Sequence, residues 1–204
     1  MKKILLLSAA CVFASTAAFA DPPDQPGHQS PAPGTTNDTM SAVKDTAGHV
    51  VGDVSAETTT SLQGFVTAAA ISDMYEVEAG KIAEDRSKNS KVRMFAEHMV
   101  MAHTETTDKL KSILASGHGN VTPPAHLDDR HQGMIDELRG AKAEDFDGRY
   151  LAQQIDAHKE ALILMKGYAK SGDVAAVRHF AAKTAPVVQS HLNMAESIGK
   201  HLMK

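Results

Sequence analysis

The sequence predicts an all-α protein built as an antiparallel four-helix bundle. Three observations predict it. Apolar residues recur at steps of three and four through four long segments after residue 60. The connections between the paired segments are short, and no stretch alternates with period two over β-branched residues. Helical spacing puts one apolar stripe on each segment, and short connections make consecutive helices antiparallel neighbours. Composition agrees: the chain has no Trp and few aromatics, so Ala, Leu, Met and Val must fill the core, a set that suits helices.

The N-terminus reads as a secretory signal over residues 1–20. Lys2 and Lys3 form its positive start, Ile4 to Phe19 is small and apolar, and Ala18-Phe19-Ala20 is a small-x-small cleavage site before Asp21-Pro22-Pro23. Such a segment is removed rather than folded. The sole cysteine, Cys11, lies inside it, and Ser8 stands where a lipoprotein signal wants a large apolar residue. With cleavage after Ala20 the mature chain has no cysteine, hence no disulfide or thiolate ligand. No later segment has the roughly 20 apolar residues of a membrane span, so the mature chain is expected to be soluble. Losing Lys2 and Lys3 takes the formal net charge from −4 to −6. A mildly acidic chain without basic clusters argues against nucleic acid as a partner.

Residues 21–60 read as a linker. Asp21 to Asn37 is rich in Pro, Gly, Gln, Ser and Thr and cannot bury enough apolar surface to order itself. Met40, Val43, Ala47, Val50/Val51 and Val54 then recur at helical spacing, which suits a short amphipathic helix over 40–54, weakened by Gly48 and Gly52. Residues 61–204 are the bundle domain. The first helix is expected over about 61–86 and the second over 90–116, stopped by Gly117–Gly119 and Pro123-Pro124. A shorter helix covers about 127–139, the third long helix 144–170, and the fourth runs from Ser171-Gly172-Asp173 to about Leu202. Ser171 or Asp173 suits its N-cap, and Pro186 should kink it.

Polar residues interrupt these stripes in the middle. The fourth helix reads Val174, Val177, Ala181, Thr184, Val188, His191, Ala195, Ile198, Leu202. The second carries His103 among Val92, Phe95, Ala96, Met99, Val100, Leu110 and Leu114. The third carries Gln154 and His158 among Leu151, Ile155, Leu162 and Met165. The first offers either Glu76, on the face of Phe65, Ala69 and Ser72, or Glu78, on the face of Ile71 and Tyr75. Those two acids lie about 200° apart, so only one points inward.

Three inward histidines and a carboxylate need hydrogen bonds or a metal. Glu76, His103, His158 and His191 would suit one zinc, iron, manganese or copper ion, with Gln154 orienting a ligand. The plainer reading is that they hydrogen-bond one another, Gln154, Thr184 or water. Counting rise from the turns puts Glu76 and His103 within roughly 4–5 Å in height, but His158 and His191 roughly 8 Å apart. One shared layer and two smaller polar clusters both satisfy this count. Met94, His98 and Met101 stand at i, i+4, i+7 off the core stripe. Thioethers beside an imidazole suit copper, although methionines also fill cores poor in aromatics. His28, His49, His118, His126, His131, His179 and His201 read as solvated. No phosphate loop, nucleophile elbow or H-E-x-x-H is present, so an enzyme is not the favoured class.

The phrases Phe65-Val66-Thr67-Ala68-Ala69, Glu76-Val77-Glu78-Ala79-Gly80-Lys81-Ile82-Ala83, Val92-Arg93-Met94-Phe95-Ala96, Met99-Val100 with His103, Phe146-Asp147 with Tyr150, Gln154 with His158, and Pro186 with His191-Leu192 together resemble one bacterial family. It is the domain of unknown function numbered 4142, a ferritin-like family often labelled as membrane or outer-membrane proteins. The resemblance spans about residues 63–198 and rests on order and spacing. It implies a ferritin-like four-helix fold and export, and no settled activity. In the family the first acid of the Glu-Val-Glu phrase is the steadier one, which favours Glu76 over Glu78. Ala102 stands where the family's second-helix phrase carries an acid before its histidine. The Glu-x-x-His pairs of di-iron ferritins are missing, so ordinary ferroxidase chemistry is not expected. The favoured expectation is an exported, periplasmic protein holding one transition-metal ion. Outer-membrane association or secretion is the alternative destination. A metal-free envelope module docking on another protein is the second functional expectation, and a metal-dependent oxidase or catalase-like enzyme the third.

Overall fold

A computed structural model describes residues 59–117 and 120–202. The expected signal over 1–20 with Cys11, the linker up to residue 58, its amphipathic stretch 40–54, and His28, His49 and His118 lie outside these residues. All regular structure among the described residues is helical: α1 (Leu62–Arg86), α2 (Ser90–Ala115), α3 (Asp129–Gly140), α4 (Phe146–Ser171) and α5 (Ala175–Leu202). Each boundary falls within about two residues of its sequence expectation, because caps and breakers act locally. α5 runs through Pro186 as one helix. None of the helices is long and apolar enough to cross a membrane.

The caps explain the starts. Ser61 accepts the Gly64 N–H, Asn89 the Lys91 N–H and Asp128 the His131 N–H, each satisfying a donor that the first helical turn leaves free. Asp173, expected as a cap for α5, spends its carboxylate elsewhere. It accepts the Leu62 N–H at 3.1 Å and the Tyr168 hydroxyl at 2.7 Å, tying the start of α1 to the end of α4. Gly172 beside it must be glycine, since a Cβ there would meet the Tyr168 ring at 2.4 Å.

α1 pairs with α2 and α4 with α5, the two hairpins that make the most extensive contacts. The hairpins join through α1 against α4 and α2 against α5, and short α3 lies on α1 and α4. This is a four-helix bundle with its short helix in the crossover. The Arg86 guanidinium fixes α3 in place: it donates to the Leu138, Arg139 and Ala141 carbonyls at the helix end and lies over the Phe146 ring. A cation suits that end because the last carbonyls lack helical partners.

The apolar interior is divided into two clusters. One holds Phe65, Val66, Leu110, Leu114, Leu162, Met165, Tyr168, Phe180 and Val188. The other holds Tyr75, Val92, Phe95, Met99, Ile135, Leu138, Phe146, Tyr150 and Leu151. The break between them is a layer of buried polar side chains: Asp73, Glu76, His103, Gln154, His158 and His191.

Candidate metal centre

α1 presents two acids to this layer. Its buried seam is Val66, Ala69, Asp73, Glu76, Gly80 and Ala83, in steps of three and four. Glu76 is the inward member of the Glu-Val-Glu phrase, and Glu78 is half-buried and paired with Arg139 at 2.6 Å. Asp73 escaped the sequence reading, which ran the seam through Ser72. The signal was the spacing that passes through Gly80, a position that looks like a helix weakness. Here Gly80 permits close approach: a Cβ would lie 2.7 Å from Val100 Cγ2 and 3.1 Å from the Ala96 carbonyl. That contact draws α2 onto α1 beside His103.

His103, His158 and His191 converge. One ring nitrogen from each lies within 4.8 Å of the others, and all three residues are buried. Ring centroids are 5.4–5.6 Å apart in every pairing. The expected mismatch in height between His158 and His191 does not arise. His158 stands 13 residues before the end of α4 and His191 16 residues after the start of α5, about 4.5 Å of rise apart. Gly172 to Val174 are non-helical and add little height. The single shared layer is therefore the one observed.

The outer partners decide which nitrogens are left over. His103 Nδ1–H donates to Asp73 Oδ1 at 2.7 Å, and Asp73 Oδ2 accepts the Thr107 hydroxyl at 3.0 Å. His158 Nδ1–H donates to the Gln154 backbone carbonyl at 2.8 Å. A carbonyl only accepts, so neutral His158 carries its lone pair on Nε2. The remaining atoms, His103 Nε2, His158 Nε2 and His191 Nδ1, have no hydrogen-bond partner, and neither does Glu76 Oε2. Unpartnered buried polar atoms are costly and rare; here six belong to one layer, the two amide atoms of Gln154 among them. Glu76 Oε1 lies 3.4 Å from His158 Nδ1. Gln154 acts on His158 through its backbone, and its side-chain amide is fully buried close to Glu76.

Electrostatics keep two of the rings neutral. Burial, then the neighbouring His103, holds His158 well below the ordinary imidazole range. Burial pushes His191 down to about 3, with His103 and His98 adding to the effect. Burial also works against a charge on His103, but the Asp73 hydrogen bond and the charges of Glu76 and Asp73 outweigh it and raise His103. Burial lifts the Glu76 carboxyl to about 7, against the pull of His103 and Gln154. A cation in this layer would relieve Glu76 and take the place of a proton on His103.

The other expected positions separate from the centre. Met94 and Met101 are 69 % and 59 % exposed on α2, and His98 is exposed between them. Met99 is fully buried in an apolar cluster and Met194 packs against it. His126, His179 and His201 are exposed, as expected. His131, expected to be solvated, is buried instead: its Nδ1 lies 2.7 Å from Asp128 and its Nε2 3.0 Å from Arg130. It begins a short helix whose inward face was too brief for periodicity to reveal. A separate cavity of about 470 Å³ is lined by Ala68, Ile71, Ser72, Arg130, Ala157 and Glu160, among others, and by none of the three central histidines.

The family described as "Domain of unknown function (DUF4142)" matches residues 51–198. The chain belongs to the DUF4142 family. No curated protein matches this DUF4142 chain. Among solved structures it is similar to the crystal structure of a DUF305 fragment from Deinococcus radiodurans. That likeness has a TM-score of 0.59 at 14 % identity, covering 67 % of this chain and 93 % of the fragment. At that identity the likeness concerns the fold.

Proposed function

We propose that this DUF4142 protein is an exported metal-binding protein that holds one transition-metal ion among His103, His158 and His191. The observation that carries the reading is the convergence of three buried histidines, one nitrogen of each within 4.8 Å of the others, in which every ring keeps a buried nitrogen without a partner. Imidazole suits zinc, copper and iron. Bonds of about 2.0–2.1 Å in a tetrahedral site place nitrogens about 3.4 Å apart, which small side-chain rotations reach from here. Asp73 on His103 and the Gln154 carbonyl on His158 are the outer contacts that metal-bound histidines use to fix ring orientation. Glu76, expected as a fourth ligand, stands outside the converging set and supplies negative charge beside His158. Export is read from the N-terminal residues 1–20 and makes metal handling in the cell envelope the role.

Thermal unfolding of the metal-free protein tests this, alone and with Zn²⁺, Mn²⁺, Fe²⁺, Cu²⁺ or Cu⁺, beside elemental analysis of untreated protein. One metal equivalent and a midpoint raised by several degrees are expected, since a ligand at a hundred times its Kd adds about 2.7 kcal/mol. The double variant His103→Ala/His191→Ala should lose both effects. No stoichiometric metal and no shift with any ion would sink the proposal.

A further inference from the structure

The three nitrogens are buried, so an ion reaching them needs a route from the surface. One histidine lies between the two. His98 is exposed on α2, yet its ring meets that of His191 edge-on with centroids 5.1 Å apart. That is closer than any two of the three buried rings stand to each other. Met94 and Met101 lie one helical turn to either side of His98, on the same face. They are the two most exposed large apolar side chains among the described residues. The bundle core has uses for methionine, as Met99 and Met165 show, but these two thioethers are left in water on either side of the one exposed histidine that touches the centre.

We propose that Met94, His98 and Met101 form a port that captures a soft, monovalent metal ion of the Cu⁺ class and passes it to His191. Thioether sulfur and imidazole together favour such an ion over harder divalent ones. The ion moves by ligand exchange, with no change in its oxidation state. His98 is near enough to His191 for one ring to hold the ion as the other takes it. The port speeds entry and exit alike, so it changes rates and leaves the final equilibrium unaltered. This inference rests on the metal-centre reading above.

Stopped-flow transfer of Cu⁺ from its bicinchoninate complex to the full chain tests both, followed by loss of the complex's colour. Wild type is compared with His98→Ala, with Met94→Leu/Met101→Leu and with His103→Ala/His191→Ala. The expected result is uptake slowed about tenfold in His98→Ala and several-fold in the methionine variant, with Kd within about twofold of wild type. Zn²⁺ uptake, read with a competing chromophoric chelator, should be insensitive to the methionine change. All substitutions at the port are at exposed positions, and unchanged thermal midpoints of the metal-free variants check that they fold. Wild-type rates in both port variants would overturn the port while leaving the centre standing. A fall in affinity matching the fall in rate would also overturn it and make His98 a permanent ligand. Failure of wild type to take Cu⁺ to any greater extent than the buried-histidine variant would overturn the Cu⁺ centre, and the port with it.

Discussion

Two aspartate–histidine pairs in this protein have almost the same inner geometry. His103 Nδ1 stands 2.7 Å from Asp73, and His131 Nδ1 stands 2.7 Å from Asp128. Both histidines are buried. They differ in what the second ring nitrogen meets. His131 Nε2 accepts from Arg130, whose guanidinium also holds Glu160 at 2.8 Å. His103 Nε2 meets no hydrogen-bond partner and lies with two other histidines. The first pair is closed by protein atoms and secures the start of α3. The second is left open toward a common point. Burial and an acidic neighbour are common to both pairs; the far nitrogen, paired in His131 and unpaired in His103, separates them, and the proposed metal role rests on that difference.

The largest expected effect comes from deleting the two rings in turn. His103→Ala should abolish the metal-dependent rise in thermal midpoint. His131→Ala should lower the midpoint of the metal-free protein and leave the metal-dependent rise intact. Calorimetry with and without the ion named by elemental analysis checks both, and equal effects on metal response would erase the distinction.

Changing the acids sharpens the comparison. Asp73→Asn should weaken metal affinity about 10–100-fold, the usual cost of losing an outer partner of a metal-bound histidine. Asp128→Asn should leave affinity unaltered. Competition against a chelator of known strength reads this, and a loss in Asp128→Asn as large as in Asp73→Asn would contradict it. Asp128→Ala should cost about 1 kcal/mol in denaturant unfolding, because Asp128 caps α3.

The smallest effect is in pH dependence. Burial, then Arg130, lowers His131 below its usual 6.5. A lowered imidazole contributes stability that is whole above pH 6.5, where the unfolded residue is also neutral. It is lost as pH falls toward the folded value, since the unfolded chain then binds the extra proton. His131→Gln should therefore flatten the acid-side loss of stability in metal-free protein between pH 7 and 5. Parallel curves for variant and wild type would show that His131 titrates alike folded and unfolded.

Much of this was legible from local pattern. Caps, breakers and the three-four spacing place all five helices, and the same spacing puts His103, His158 and His191 on inward faces. The spacing also held Asp73, but Gly80 obscured the seam until the close approach of Val100 showed why a glycine belongs there. His131 was illegible because a 12-residue helix offers too few turns to define a face.

By itself the sequence determined the fold class, the helices and which residues turn inward, because helical periodicity is a property of the backbone along one chain. Only the tertiary structure decided that His103, His158 and His191 share one layer, that Asp73 and the Gln154 carbonyl occupy Nδ1 of the first two, and that His98 leans on His191 from outside. Those facts depend on the relative height and approach of separate helices. Loop length, the Gly80 contact and packing between hairpins set that register, and no periodicity within a single helix encodes it.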